Sequence, residues 1–265
     1  ILNSGDDTYA TQTFTITIAP VNDAPSFTNG LDITVLEDSG TSTSADWAIN
    51  ISTGPSDESG QTPTFSVTNN NNPLFSSQPA ISSLGVLTFT PADNANTSVP
   101  VTVTIILSDD GGILNSGDDT YATQTFTITI IAVNDSPIAY DESVTAVEDV
   151  EESITLTGND GDANATQVLT YILTSLPTTG SLSESSAGSA IVSGNLPLML
   201  ADAELFFTTA SDDVSQQMFT FKVMDNGGTA NSGDDESPNA TITVIITAVN
   251  DAPSFTNGLD ITVLE

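Results

Sequence analysis

The chain has 265 residues, of which 35 are acidic and one is basic, so its formal net charge is −34 at pH 7. Phosphate backbones and anionic lipid headgroups repel such a charge, which excludes nucleic acid and membrane surfaces as partners. The sequence has neither Cys nor His. This absence rules out thiolate chemistry and Ser-His-Asp hydrolysis, and it leaves oxygen atoms as the only plentiful metal ligands.

Alternation of β-branched or aromatic residues with polar ones predicts β-strands along the whole chain. The clearest strand, at 13–18, returns unchanged at 125–130, and 241–246 has the same pattern. We expect each of these to be the last strand of a repeat, and we find no convincing helical periodicity. Further strands are expected, in chain order, at 32–36, 64–68, 86–90, 101–107, 143–147, 153–157, 169–174, 204–208 and 218–223.

Loops rich in Gly, Asn, Asp and Pro separate these strands, for example at 69–73, 109–112, 158–164 and 225–228. About seven strands per repeat with regular turns predict an immunoglobulin-like or cadherin-like Greek-key β-sandwich, so the chain belongs to the all-β class. Trp47, the single tryptophan, is expected to fill the core of the first full repeat. No apolar run approaches the roughly 20 residues of a membrane span, so we expect no membrane insertion in this segment.

One short segment recurs three times. VNDAP at 21–25 returns as VNDSP at 133–137 and as VNDAP at 249–253, at offsets of 112 and 116 residues. In addition, residues 1–18 reappear at 113–130, and residues 21–37 reappear at 249–265. The sequence therefore predicts a tandem array: the C-terminal strands of a preceding repeat at 1–22, full repeats at 23–134 and 135–250, and the first strand of another repeat at 251–265.

The acidic residues fall in the loops at the two ends of each predicted sandwich. The linkers Asn22-Asp23, Asn134-Asp135 and Asn250-Asp251 are expected between the lower end of one repeat and the upper end of the next. Lower-end acids are Glu37, Asp38 and Asp93 in the first repeat, and Glu148, Asp149 and Asp212 in the second; upper-end acids are Asp57, Glu58 and Asp109 in the first, and Asp160, Asp162 and Asp225 in the second.

Such ends need cations, because two carboxylates about 4 Å apart repel by roughly 4 kcal/mol at an effective dielectric near 20. Stacked repeats would gather several acids around Asn134. Calcium accepts six to eight oxygens in flexible geometry, whereas magnesium keeps its water. The sequence therefore predicts Ca²⁺ at each junction, about two or three ions. The acids expected around Asn134 are Glu37, Asp38, Asp93, Asp135, Asp160, Asp162 and Asp225.

The linker VNDAPSF at 21–27 resembles the Asp-x-Asn-Asp-Asn-x-Pro-x-Phe linker of cadherin repeats. Glu37 and Glu148 are placed like the first-strand glutamate of cadherins, and residues 108–112 are similar to the cadherin Asp-Gly-Gly loop. The sequence resembles still more closely the bacterial cadherin-like tandem repeats of giant surface proteins, in which VNDAP ends each unit and LTFTPA (87–92) is a familiar strand. The resemblance covers both full repeats and implies extracellular, calcium-rigidified stalks and adhesins.

The chain departs from the cadherin pattern within the linker. Pro20 or Ala132 replaces the first Asp, and Ala24 or Ser136 replaces the last Asn, so fewer linker ligands are available. The segment 160–162 fits the Asp-x-Asp preference of the cadherin upper loop, whereas 57–59 does not. The acids at 118–119 and 234–235 lie near loop tips and are expected to be solvated.

These features predict a calcium-binding, calcium-rigidified repeat segment of an extracellular bacterial adhesin or surface stalk, which supports cell–cell or cell–surface adhesion. Its partners would be calcium ions and neighbouring repeats. Two alternatives stay open: the repeats themselves bind carbohydrate or a homotypic surface protein, or the acidity is a salt adaptation without discrete metal sites. No enzyme is expected, because the acids map to domain ends and not to an aromatic-lined cleft.

Overall fold

The computed structural model describes residues 5, 7–163 and 165–253. The chain divides into two compact units, Ile1–Ile131 and Ala132–Glu265, and each described unit has its own hydrophobic core. Regular structure in the described ranges consists of β-strands and short 3₁₀ turns, with no α-helix. The predicted all-β class is confirmed. The four-part division at 22, 134 and 250 stays a prediction.

Unit 1 is a sandwich of two sheets. Its four-stranded sheet has the order β2-β9-β8-β5, its three-stranded sheet has the order β3-β7-β6, and β1 pairs with β4. β2 runs parallel to β9, while the other pairs are antiparallel. The strands are β1 (Ser26–Thr28), β2 (Ile33–Leu36), β3 (Ser42–Ser44), β4 (Ile49–Ser52), β5 (Thr64–Asn69), β6 (Phe75–Ile81), β7 (Leu87–Pro91), β8 (Val101–Ser108) and β9 (Gln124–Ile131).

The core of unit 1 follows from the two-residue period of its strands. Alternate residues of β8 and β9 point inward and are buried, while the intervening threonines lie on the outer face. Trp47 is 5% exposed and packs against Phe126 with a ring-centroid distance of 4.4 Å. Its indole N–H donates to the backbone oxygen of Leu31 at 3.0 Å. The prediction that Trp47 fills this core is confirmed.

Unit 2 has the same plan with one addition. Its larger sheet has the order β11-β19-β18-β14-β16, its smaller sheet has the order β12-β17-β15, and β10 pairs with β13. β11 runs parallel to β19, as β2 does to β9. The strands are β10 (Ile138–Ala139), β11 (Glu142–Val147), β12 (Glu152–Thr155), β13 (Gly158–Asn159), β14 (Thr170–Leu173), β15 (Ser181–Ser183), β16 (Leu198–Met199), β17 (Glu204–Thr208), β18 (Gln217–Met224) and β19 (Ala240–Thr247).

The 3₁₀ turns lie in the loops, at Ser56–Glu58, Asn72–Leu74, Leu114–Ser116, Ser193–Asn195 and Ala230–Ser232. No helix in the described part of the chain is long and apolar enough to span a membrane.

The long alternating strands are confirmed, with ends that differ by at most two residues from those predicted. Most of the strands that were not predicted have only two to four residues, which give a weak periodic signal; β6 was also missed, although it has seven. The added edge strand β16 is of this kind, since only Leu198 and Met199 pair with β14.

The strand predicted at 13–18 is wrong: these residues form no strand, and Phe14 is 85% exposed. The identical segment at 125–130 lies in β9, between β2 and β8. A strand needs neighbours for its backbone N–H and C=O groups, and residues 13–18 pair with no described strand. Of the strand expected within 251–265, residues 254–265 lie outside the described residues.

Candidate metal site

Three stretches of chain meet at one end of unit 1, which we call its upper end. They are the linker 20–23, the loop 53–63 before β5, and the loop 109–123 between β8 and β9. The two loops are neighbours because β5 begins where β8 ends, with Thr64 opposite Ser108 in the antiparallel pair. The side chain of Asn22 attaches the linker to both loops, because it donates a hydrogen bond to Asp109 and accepts one from Gln61.

The side chain of Asn22 is held from three directions. Its Nδ2 donates to Oδ1 of Asp109 at 2.9 Å and to the backbone oxygen of Asp118 at 2.8 Å. Its Oδ1 accepts from Nε2 of Gln61 at 2.6 Å. The backbone oxygen of Asn22 also accepts from the backbone N–H of Asp118, at 2.9 Å. The linker asparagine is therefore fastened to the unit that follows it.

Two carboxylates at this end each keep an oxygen without a hydrogen-bond partner among the described residues. Glu58 is 7% exposed; its Oε1 accepts from the backbone N–H of Asp23 at 2.9 Å, and its Oε2 has no partner. Oδ1 of Asp109 accepts from Asn22 and from the N–H of Gly111, whereas its buried Oδ2 has no partner. A buried, unsatisfied carboxylate oxygen is costly, so both oxygens are suited to a cation.

A cavity of about 210 Å³ lies between this linker and the loops, and its lining includes the exposed Asp57 as well as Glu58 and Gln61. Gly111 also lines it. A Cβ on Gly111 would lie 1.8 Å from Oδ1 of Asn22. The Asp-x-Gly pattern of the loop thus has a steric reason: only glycine leaves room for the linker amide.

Unit 2 repeats this arrangement at its own upper end. Nδ2 of Asn134 donates to Oδ1 of Asp225 at 3.0 Å and to the backbone oxygen of Asp234 at 2.8 Å, and its Oδ1 accepts from Nε2 of Gln167 at 2.6 Å. Asp225 is 4% exposed. Its Oδ1 also accepts from the N–H of Gly227 at 2.9 Å, and its Oδ2 has no partner within the described ranges.

Gln167 also holds the two acids of the preceding loop. Its backbone N–H donates to Oδ2 of Asp160 at 2.8 Å, and its Nε2 donates to Oδ2 of Asp162 at 3.2 Å. A cavity of about 200 Å³ lies here, with Asn134, Asp162 and Gln167 in its lining. A Cβ on Gly227 would lie 1.7 Å from Oδ1 of Asn134, as in unit 1.

The lower end of unit 1 has a different character. Glu37 is 4% exposed, and its Oε2 accepts from Nδ2 of Asn96 at 3.1 Å. Oδ1 of Asp38 accepts from the backbone N–H of Asn94 at 3.0 Å. Asp93 is exposed in the same loop. The lower-end acids of this unit therefore border one loop, as the sequence predicts from their positions.

The lower end of unit 2 brings the third linker to its acids. Glu148 is 4% exposed, and its Oε2 accepts from the backbone N–H of Val249 at 3.1 Å. The pKa of Asp251 is raised, first by desolvation, then by the negative charges of Asp212, Asp149 and Glu148, and by a hydrogen bond with Asp212. The three neighbouring carboxylates are near enough to oppose the ionisation of Asp251, and a bound cation would relieve this repulsion.

The predicted site residues thus fall into sets at the ends of each unit. The set at the upper end of unit 1 contains Asn22, Asp23, Glu58 and Asp109, with Asp57 at the rim. The set at the upper end of unit 2 contains Asn134, Asp160, Asp162 and Asp225, with the half-buried Asp135 beside Asn134. The set at the lower end of unit 2 contains Glu148, Asp149, Asp212 and Asp251, with the exposed Asn250 in its linker. Across the described residues, no group of three acidic side chains is arranged to hold a metal ion on its own.

Sequence reasoning missed Gln61 and Gln167, as well as the backbone oxygens of Asp118 and Asp234. The glutamines follow the last acid of the upper loop by three and five residues, a spacing too variable to form a motif. The available signal was chemical: a half-buried linker asparagine between two carboxylate loops needs a donor for its Oδ1.

The donor chemistry of both upper ends fits a hard divalent cation such as Ca²⁺. Each end offers carboxylate and amide oxygens without thiolate or imidazole. Among the described residues, two buried carboxylate oxygens lack a partner in unit 1, on Glu58 and Asp109, and one lacks a partner in unit 2, on Asp225. Calcium accepts this mixture of oxygens.

No protein-family model matches this chain, and no curated protein matches it. Solved structures similar to it include cadherin domains. Domains EC1-2 of human protocadherin-24 (form II) share 16% identity at a TM-score of 0.48, covering 86% of this chain and 100% of that one. Domains EC1-3 of mouse protocadherin-24 share 16% identity at a TM-score of 0.45, covering 84% and 70%. Titin domains z1z2, solved in complex with telethonin, share 17% identity at a TM-score of 0.31, covering 87% and 100%.

Proposed function

We propose that this chain is a calcium-binding repeat segment of an extracellular, bacterial-type cadherin-like adhesin or surface stalk. The observation that carries the proposal is the buried carboxylate beside each linker asparagine, Glu58 in unit 1 and Asp225 in unit 2, with one oxygen lacking a partner among the described residues. Removing such a charge from water costs several kcal/mol unless an opposite charge compensates it. The chain has almost no basic side chains for that purpose.

The residues that would hold calcium at the upper ends are Glu58 and Asp109 in unit 1, and Asp162 and Asp225 in unit 2, with the rim acids Asp57 and Asp160 and the linker acids Asp23 and Asp135 beside them. Glu37, Asp38 and Asp93, and the set around Asp251, are the proposed lower-end ligands. Bound calcium supplies positive charge that offsets the repulsion between carboxylates. The repeats would act mechanically, as a stalk stiffened by the ion.

Calcium titration of the whole chain by calorimetry and thermal unfolding tests the proposal. We expect affinities of roughly 0.1–1 mM, as in extracellular calcium modules. Calcium at about 100 times its dissociation constant would stabilise each site by about 2.7 kcal/mol. A chain that binds no calcium, and unfolds identically in calcium and in excess chelator, would contradict the proposal.

The variant Asp162→Asn locates the site in unit 2. It removes one carboxylate at the upper end and should weaken or abolish one class of calcium sites. Asp202→Asn is the matched control, because it makes the same charge change in unit 2 at an exposed turn, where Oδ1 of Asp202 accepts from the N–H of Glu204. Equal calcium binding by both variants would contradict the assigned ligand.

A further inference from the structure

The two glutamines that contact the linkers occupy equivalent places although their loops differ. Gln61 lies in the loop PSDESGQ (55–61), and Gln167 lies in the longer loop NDGDANATQ (159–167). In each unit, Nε2 of the glutamine donates to Oδ1 of the linker asparagine at 2.6 Å. Two loops of different length and sequence thus place the same side chain against the same linker atom.

The orientation of the Gln167 side chain follows from its partners. Both N–H bonds of Nε2 have acceptors, Oδ1 of Asn134 and Oδ2 of Asp162. Exchanging the nitrogen and oxygen of the amide would set Oε1 against both of these oxygens, so the hydrogen bonds fix the amide orientation. Oε1 is therefore directed away from them. It is buried and has no hydrogen-bond partner among the described residues, and the same holds for Oε1 of Gln61.

The linker asparagine is engaged on both sides. Nδ2 of Asn134 uses both N–H bonds, on Oδ1 of Asp225 and on the backbone oxygen of Asp234, and its Oδ1 receives Gln167. Two buried oxygens at the ends of this hydrogen-bond network have no partner among the described residues: Oδ2 of Asp225 and Oε1 of Gln167. Asp225 is only 4% exposed. An open oxygen on so buried a carboxylate points to a ligand.

We infer that Gln61 and Gln167 are cation ligands through Oε1, and that the side chains of Asn22 and Asn134 are rigid connectors that position them. This inference rests on the proposed calcium-binding function and changes its ligand set. Calcium takes six to eight oxygens. Each upper end already carries four carboxylates, Asp23, Asp57, Glu58 and Asp109 in unit 1, and Asp135, Asp160, Asp162 and Asp225 in unit 2. A neutral amide oxygen adds a ligand without further repulsion.

The test is a calcium titration of the whole chain, carrying ¹³C and ¹⁵N in its glutamine and asparagine side chains, followed by NMR. The Cδ resonances of Gln61 and Gln167 should shift with the calcium dependence measured by calorimetry, because their carbonyl oxygens become ligands. The Nδ2 protons of Asn22 and Asn134 should stay protected from exchange throughout. Gln78 and Gln124 are internal controls, since their side chains bond to Asn69, Asn72 and Ala122, outside the proposed ligand sets.

The variant Gln167→Ala provides a second measurement. It should weaken calcium binding in unit 2 about 10- to 100-fold, the range for lost metal-site contacts, while the exposed Gln216→Ala in the same unit should bind as the native chain does. Calcium binding without movement of the Gln61 and Gln167 Cδ resonances, or unchanged by Gln167→Ala, would overturn this inference and leave calcium binding standing. Absence of calcium binding to the native chain would overturn both.

Discussion

At the scale of single residues, the decisive group is the linker asparagine and the atoms packed around it. Asn22 donates to Asp109, which lies 87 positions later in the chain, and Asn134 donates to Asp225, which lies 91 positions later. Each asparagine lies against a glycine that has no room for a methyl group. Because three polar partners converge on one side-chain amide, a small steric change there disturbs several hydrogen bonds together.

Gly111→Ala should destabilise unit 1 by about 1–3 kcal/mol, because the added Cβ would displace the Asn22 amide and leave the half-buried Asp109 carboxylate without its hydrogen bond from Asn22. Urea unfolding followed by Trp47 fluorescence measures the effect, since Trp47 is the only tryptophan. Gly60→Ala is the matched control, because a Cβ there meets nothing within 4 Å. Equal unfolding midpoints for the two variants would show that the amide adjusts freely.

At the scale of elements, pairing partners decide whether an alternating segment becomes a strand. The sequence TQTFTITI occurs at 11–18 and at 123–130. In β9 its apolar residues are buried between two neighbouring strands, with Phe126 4% exposed. At the earlier position the same residues form no strand, and Phe14 is exposed. Local propensity is identical in the two copies, so tertiary pairing accounts for the difference.

The two copies allow one substitution to be compared in two environments. Phe126→Ala should lower the free energy of unfolding of unit 1 by about 3–5 kcal/mol, because it removes a buried ring packed on Trp47. Phe14→Ala should change that free energy by no more than about 0.5 kcal/mol, as expected for an exposed site. Denaturant titrations of both variants, read by Trp47 fluorescence, provide the comparison. A loss at Phe14 similar to that at Phe126 would mean that 13–18 packs as a strand in solution.

At the scale of the whole molecule, the chain has two separate hydrophobic cores and a large net negative charge. Much of this charge lies in loops at the ends of the sandwiches, where desolvation and then the negative charges of neighbouring acids raise the pKa of the linker residue Asp251. Monovalent salt screens such repulsion in general, with a screening length of about 10 Å at 0.1 M and about 3 Å at 1 M. Calcium bound by specific oxygens would stabilise the fold in addition to this general screening.

Salt therefore separates discrete sites from general halophilic adaptation. Raising NaCl from about 0.05 M to about 1 M without calcium should increase the urea midpoint by screening. Millimolar calcium at constant ionic strength should increase it further, because site binding adds to screening. Circular dichroism follows both units, and Trp47 fluorescence follows unit 1. If 1 M NaCl replaces calcium completely, the acidity is a salt adaptation without discrete sites.

Much of the fold was predictable from local pattern. Long strands such as β8, β9, β18 and β19 alternate inward and outward residues over eight positions, and this period survives in any β-sandwich. Short strands such as β16 have no such signal. Their existence depends on the neighbour that happens to lie beside them, here β14.

The candidate site was predictable in part. The acids of the upper loops and the linker Asn-Asp pairs could be placed together, because loops between antiparallel neighbours share an end of the sandwich. The glutamines could not, since Gln61 and Gln167 follow their acids at different spacings. Only the folded loops place both amides on the linker asparagine.

The amino-acid sequence by itself determined the β class, the repeated linker, the absence of soft metal ligands and the concentration of carboxylates in end loops, because these depend on composition and short-range period. The tertiary structure alone decided which copy of TQTFTITI forms a strand and which amides face the linker. Both outcomes depend on atoms brought together from distant parts of the chain, where hydrogen-bond geometry and burial select among locally equivalent residues.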